Sequence, residues 1–186
     1  ADLNSEATSF NELATFADWG VEAGPENDET LKKFNRVIEF IKNSTDEEFK
    51  ENFSDYLNLD ATLNYYVMLE FAQLIDNTSK NMLMVTYDGI IWYPSLYDLD
   101  TSWGTTWNGK ELYNYNYHIS EHIKNNSLWS KFERTFKNEI ANRYFELKKD
   151  YLNKENVLDE FNTFINSIPS KTYKQEQSRW LNIPGY

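Results

Sequence analysis

Asp76, Asn81 and Asp98 flank a stretch that reads as a β-hairpin. Two carboxylates and a carboxamide offer hard oxygen donors, which suit Mg²⁺ better than a soft metal. Met82–Tyr87 reads as one strand, Asp88-Gly89 as a two-residue turn, and Ile90–Tyr93 as the returning strand. Pro94 limits further pairing. Such a turn pairs Tyr87 with Ile90, which sets Asn81 opposite Leu96 and Asp98 one same-face step beyond. Diagonal neighbours of that kind lie roughly 7–8 Å apart, close enough for side chains to share one small cation. Asp76 opens the loop that feeds the hairpin.

Helices must hold this stretch in place. Leu31, Phe34, Val37, Ile38 and Ile41 give an apolar stripe for a helix from Asp28 or Thr30 to about Lys42. Thr45-Asp-Glu-Glu48 is a capping box for a short helix to about Phe53. Asp60 caps a third helix, through about Leu74, expected to be the most buried because it ends at the Asp76 loop. Leu128, Phe132, Phe136, Ile140, Tyr144 and Leu147 predict a long helix from about Asn126. Another runs from about Lys154 to Ser167, with Val157, Leu158, Phe161, Phe164 and Ile165 inward and Pro169 as its stop. Residues 1–27 read as a lead-in or linker, with a possible short helix that docks through Phe10, Leu13, Phe16 and Trp19. The segment after Gly104 is Asn-rich and aromatic, without a period. The class is mainly α with a small β-hairpin, and residues 28–186 form one helical domain.

Bulk properties narrow the chemistry. The 186 residues carry a formal charge of -12, which disfavours nucleic acid and anionic membrane as partners. There is no Cys, so thiolate metal sites and disulfides are excluded. No apolar run is long enough to span a membrane. No signal-type segment opens the chain, and a start at Ala1 reads as that of a fragment.

Other constellations compete. His118-Ile-Ser-Glu-His122 matches the H-x-x-E-H pattern, and on a helix its two His could hold Zn²⁺ with Glu121 as base. Asp76 with Asp98 or Asp100 could serve glycoside hydrolysis. Trp103, Trp107, Tyr113, Tyr115 and Tyr117 could stack on a sugar.

The order Asp76-x4-Asn81, hairpin, Asp98 follows that of protein kinases: base Asp, metal-binding Asn, hairpin, metal-binding Asp. Tyr56–Tyr66, Ile75–Asn81, the Tyr-Asp-Leu-Asp-Thr-Ser-Trp-Gly run ending at Gly104, Leu128–Phe136 and Arg179-Trp180 together resemble the spore coat protein H (CotH) kinase-like family. The resemblance implies a protein-kinase-like C-terminal lobe that uses Mg²⁺ and ATP to phosphorylate Ser or Thr of bacterial surface or spore coat proteins. It implies Asp76 as the catalytic carboxylate and Asn81 and Asp98 as residues binding the metal and nucleotide. Asp100 would be an auxiliary metal acid. It also implies a location at the bacterial cell surface, secreted or in the spore coat. No Gly-rich loop or strand-borne Lys precedes residue 28, so the isolated fragment is expected to bind nucleotide weakly and to be inactive alone. A non-catalytic surface scaffold or a carbohydrate-binding domain is the alternative.

Overall fold

The structure, a computed structural model, describes residues 10–105 and 118–180. Helix α1, Asp28–Asn43, buries Phe34, Val37, Ile38 and Ile41 as the stripe requires. Its cap is Asn27, whose side-chain oxygen accepts the Thr30 amide at 3.0 Å. Helix α2, Asp46–Asn52, opens with the capping box between Thr45 and Glu48. Helix α3, Leu59–Ala72, is capped by Asn58 rather than Asp60. Tyr65, Tyr66, Val67 and Leu69 are among its buried residues, and no other described helix buries as many.

Strands β1, Met82–Thr86, and β2, Trp92–Leu96, form an antiparallel pair, the only sheet among the described residues. Met82 pairs with Leu96 and Thr86 with Trp92. The register is therefore one residue away from the one a two-residue turn would set. The connection is longer because Thr86 and Asp88 build it from side chains. Asp88 Oδ1 accepts the amides of Ile90 and Ile91 at 2.8 and 3.0 Å, and Thr86 Oγ1 donates to the Ile91 carbonyl at 2.8 Å. Those two amides, Ile90 first, hold the Asp88 carboxyl below its usual range. Gly89 is left-handed (φ +73°), and a Cβ there would meet Lys33 Cδ at 2.7 Å.

The lead-in forms no α-helix between Phe10 and Asn27. Phe10 itself is left-handed (φ 55°), and Leu13 stays exposed. Phe10 and Trp19 do dock, packing on Phe34, which in turn meets Trp92 at 4.9 Å between ring centroids. Asn35 fixes the segment by exchanging two hydrogen bonds with the Ala14 backbone, 2.6 and 3.1 Å.

The long helix expected from Asn126 is two helices, α4, Ser127–Thr135, and α5, Lys137–Asp150. They divide at Phe136, which leaves helical geometry (φ -109°, ψ 26°) while staying buried against Phe49, Phe53 and Phe132. The chain divides into two compact units, Ala1–Arg143 and Tyr144–Tyr186. The second unit contains α6, Lys154–Ser167, and α7, Ser170–Arg179, a helix that the apolar pattern does not announce. The inward stripe expected of α6 is not inward: Leu158, Phe161, Phe164 and Ile165 are all exposed. No described helix is long and apolar enough to cross a membrane.

Lys131 of α4 joins the helical layers. It is 8% exposed, and its Nζ donates to the carbonyls of Ile41 and Ser44, both at 2.6 Å, at the end of α1. Burial lowers its pKa, yet the charge complements the negative end of the α1 dipole. Arg134, one turn on, makes a two-pronged ion pair with Asp46 at 2.6 and 2.8 Å.

Replacing Lys131 by Ala should cost about 2–3 kcal/mol in urea unfolding, because hydrogen bonds to a charged donor are lost and buried carbonyls are left bare. Arg134, chiefly through its hydrogen bond, holds the Asp46 carboxyl below the usual value. A depressed carboxylate pKa gives stability that is full above the unfolded-state value and lost as pH falls through the folded one. Arg134→Met should thus be slightly less stable than wild type near neutrality, by the small margin of an exposed pair, and indistinguishable in strong acid. Thermal melts across pH read this directly.

Candidate functional site

Helix α3 ends where Gln73 turns left-handed (φ 53°) and its amide donates to the Leu69 carbonyl. Leu74, wholly buried, anchors the exit, and Asp76–Thr78 form one 3₁₀ turn. Two carbonyls of that turn are gripped by side chains from two helices. Tyr65 Oη of α3 donates to the Asn77 carbonyl at 2.7 Å. Asn126 Nδ2 and Trp129 Nε1 donate to the Thr78 carbonyl at 3.0 and 2.7 Å. Asn126 is also the cap of α4, its Oδ1 accepting the Trp129 amide at 3.1 Å. The loop backbone is thus fixed in irregular geometry by buried donors, as buried carbonyls require.

The hairpin is tied to this loop by Asn77. Its side chain is fully buried, and Nδ2 donates to the carbonyls of Asn81 and Tyr97, each at 2.7 Å. Asn81 (φ 56°) and Asp98 (φ 51°) then leave the strands in left-handed conformations. Among the described residues, five non-glycine positions have positive φ, and four of them, Gln73, Asn81, Asp98 and Trp103, belong to this region. Asn and Asp tolerate that conformation best, and strained backbone gathers at functional sites. Beyond β2 the chain returns to α3, with the Trp103 amide on the Ala72 carbonyl at 2.7 Å and its ring edge-on to Phe71.

The residues expected to act are placed as follows. Asn81 is 8% exposed, and its carbonyl shares the Asn77 donor with the carbonyl of Tyr97, the residue before Asp98. Asp98 and Asp100 are exposed, and Asp76 is half-buried at the start of the 3₁₀ turn. The ladder does not bring Asn81 and Asp98 together as a same-face diagonal, since Met82 and not Asn81 faces Leu96. What links the two strand ends is the Asn77 amide, through the carbonyls of Asn81 and Tyr97. Among the described residues no three His, Cys, Asp or Glu side chains gather tightly enough to hold a metal by themselves. Mg²⁺ takes one or two protein oxygens and fills its remaining positions with water and phosphate, so a donor set of one carboxylate and one carboxamide has the chemistry it needs. The largest groove described nearby, of about 480 Å³ between β1 and residues 21–25, is lined by Lys33, Asp88 and Trp92 and by none of these site residues.

The zinc arrangement does not form. His118 and His122 lie outside any α-helix, separated by a 3₁₀ turn, Ile119–Glu121, with a second one, Ile123–Asn125, following. Ile119 and Ile123 turn inward, and Glu70 takes the Ile119 amide at 3.2 Å and faces His118 Nδ1 at 3.8 Å. Burial lowers the His122 pKa. Of the aromatic residues suggested for sugar stacking, Trp103 is exposed. Trp107, Tyr113, Tyr115 and Tyr117 lie outside the described residues.

Asn77, Tyr65 and Trp129 carry the site, and no sequence pattern singles them out. Only Asn126 leaves a local signal, as a cap before a helical pattern. A family model described as CotH kinase protein matches residues 1–184. No curated protein matches the chain.

Asn126→Ala removes a helix cap and one of two donors to the Thr78 carbonyl, and should cost about 2 kcal/mol in urea unfolding. A loss below about 0.5 kcal/mol would mean that this junction is not strained by the change.

Proposed function

This chain belongs to the CotH kinase family, and on that premise we propose that it is part of an atypical Ser/Thr protein kinase that transfers phosphate from Mg-ATP. The observation that carries the reading is the junction at the strand ends, where the buried Asn77 amide nitrogen donates to the carbonyl of Asn81 and to that of Tyr97, the residue before Asp98. Their order after Asp76 is that of kinase catalytic and metal-binding residues.

In this reading Asp98 and Asn81 supply the oxygen ligands, with Asp100 as an auxiliary acid. Mg²⁺, when bound, offsets the charge of the nucleotide phosphates, a need sharpened by the chain's own charge of -12. Asp76 would orient the acceptor hydroxyl and take its proton as that oxygen bonds to the γ-phosphorus and the bond from the γ-phosphorus to the bridging oxygen breaks, ADP leaving with that oxygen. The fixed turn at Asp76–Thr78 serves this role, because phosphoryl transfer depends mostly on positioning and charge stabilisation. The acceptor is a Ser or Thr hydroxyl of a bacterial surface or spore coat protein, as the family resemblance suggests, and the protein works at that surface. A protein-kinase-like C-terminal lobe is the matching fold, consistent with the mainly helical unit and its single hairpin.

Transfer of labelled phosphate from Mg-ATP to Ser-rich acceptor peptides tests this in the protein that carries the chain. Asp98→Ala and Asp76→Ala should each lower the rate by roughly 100-fold or more while the fold persists. Transfer at the wild-type rate by Asp98→Ala would remove the assigned role.

A further inference from the structure

Asn77 belongs to neither the acid nor the metal-ligand set, yet more of the site passes through it than through any of those residues. Its side chain is 0% exposed. Its neighbours on Nδ2 are both carbonyl oxygens, so the amide must present its NH₂ end to them, and its orientation follows from the chemistry of the partners. Its own carbonyl is held by Tyr65 Oη at 2.7 Å. Neither acceptor is local in an ordinary sense: Asn81 lies four residues on and Tyr97 twenty. Past Met82 and Leu96 the strand ladder ends, and both chains depart with positive φ. Asn77 supplies two donors at that open end.

We propose that Asn77 is a positioning residue for the divalent ion, acting through the backbones of Asn81 and Asp98. The inference rests on the kinase reading above and adds to it the device that sets the separation of the two ligands. Both residues have irregular backbones, and their side chains are aimed by their φ angles. A single amide nitrogen joins the carbonyl of one ligand residue to the carbonyl of the residue just before the other. Without it, each strand end would relax independently, and the two ligands would meet an ion only part of the time. The Asn77 Oδ1 atom is buried without a hydrogen-bond partner among the described residues, so the amide is retained at a cost that packing alone does not explain. No other residue type offers two N–H donors from so short a side chain.

Mn²⁺ alone, followed by its EPR signal on titration, is the probe. Wild type should bind it, and Asp98→Ala should lose binding. Asn77→Ala should weaken binding roughly 10–100-fold, the loss usual when a partner behind the ligands is removed. Tyr65→Phe, a milder change that frees the Asn77 carbonyl, should weaken it severalfold in the same direction and guards against misfolding of Asn77→Ala. Lys131→Ala, destabilised at a distance, should keep wild-type affinity, which separates positioning from general loss of stability. In wild-type protein without metal, the Asn77 side-chain NH₂ protons should exchange slowly with solvent. Wild-type affinity in both Asn77→Ala and Tyr65→Phe, with binding lost in Asp98→Ala, would overturn the positioning role and leave the ion site standing. Failure of the wild type to bind Mn²⁺, with slow exchange at Asn77, would overturn the ion site and with it the role assigned to Asn77.

Discussion

Two strand ends finish without backbone donors for the carbonyls of Asn81 and Tyr97, and one buried carboxamide answers both. Buried carbonyls left bare would each cost about 1–3 kcal/mol, so this junction is a condition of the fold as well as of the site. Asn77 can reach both only because its own backbone is fixed. Tyr65 fixes it from α3, and Asn126 and Trp129 fix its neighbour Thr78 from the start of α4. Those three side chains are themselves buried, and Tyr65 stacks on Trp129 at 5.5 Å. Core packing and site geometry are thus one construction, with Asn81 buried in it, Asp76 half-buried at its edge and Asp98 exposed.

The same logic explains the character of the helices. Helix α3 is apolar almost all round because it must supply Tyr65 to the loop and pack Tyr66 on Trp129 and Phe132. Helix α4 begins at Asn126 because that residue serves two clients, its own helix and the Thr78 carbonyl. Lys131 then ties α4 to the end of α1. Asp76 and Asp98 need not be buried to be held, since the shell behind them is.

What is legible in the chain is whatever repeats or acts locally. The stripe of α1 and the Thr45–Glu48 box are periodic or short-range signals, and both elements stand as read. The hairpin's existence is legible from Asp88-Gly89, but its register is not. Thr86 and Asp88 lengthen the turn through side-chain bonds that the two-residue Asp-Gly pattern does not specify, and one residue of slip changes every pairing. The division at Phe136 is hidden because the apolar spacing continues through it while the backbone does not. The α6 stripe is visible, but periodicity says nothing of whether a partner covers it. Asn77 is invisible for a different reason: its partners lie in separate segments, and only the folded chain brings them to one atom. The candidate ligands themselves emerge from type and order along the chain.

The central claim is that Asn81 and Asp98 hold one ion between them. Paramagnetic broadening tests it without activity or nucleotide. With substoichiometric Mn²⁺, the side-chain carbonyl signals of Asn81 and Asp98 should broaden together, while that of Asp88, exposed at the hairpin tip, stays sharp. Equal broadening of all three, or broadening at Asp98 without Asn81, would contradict a shared site.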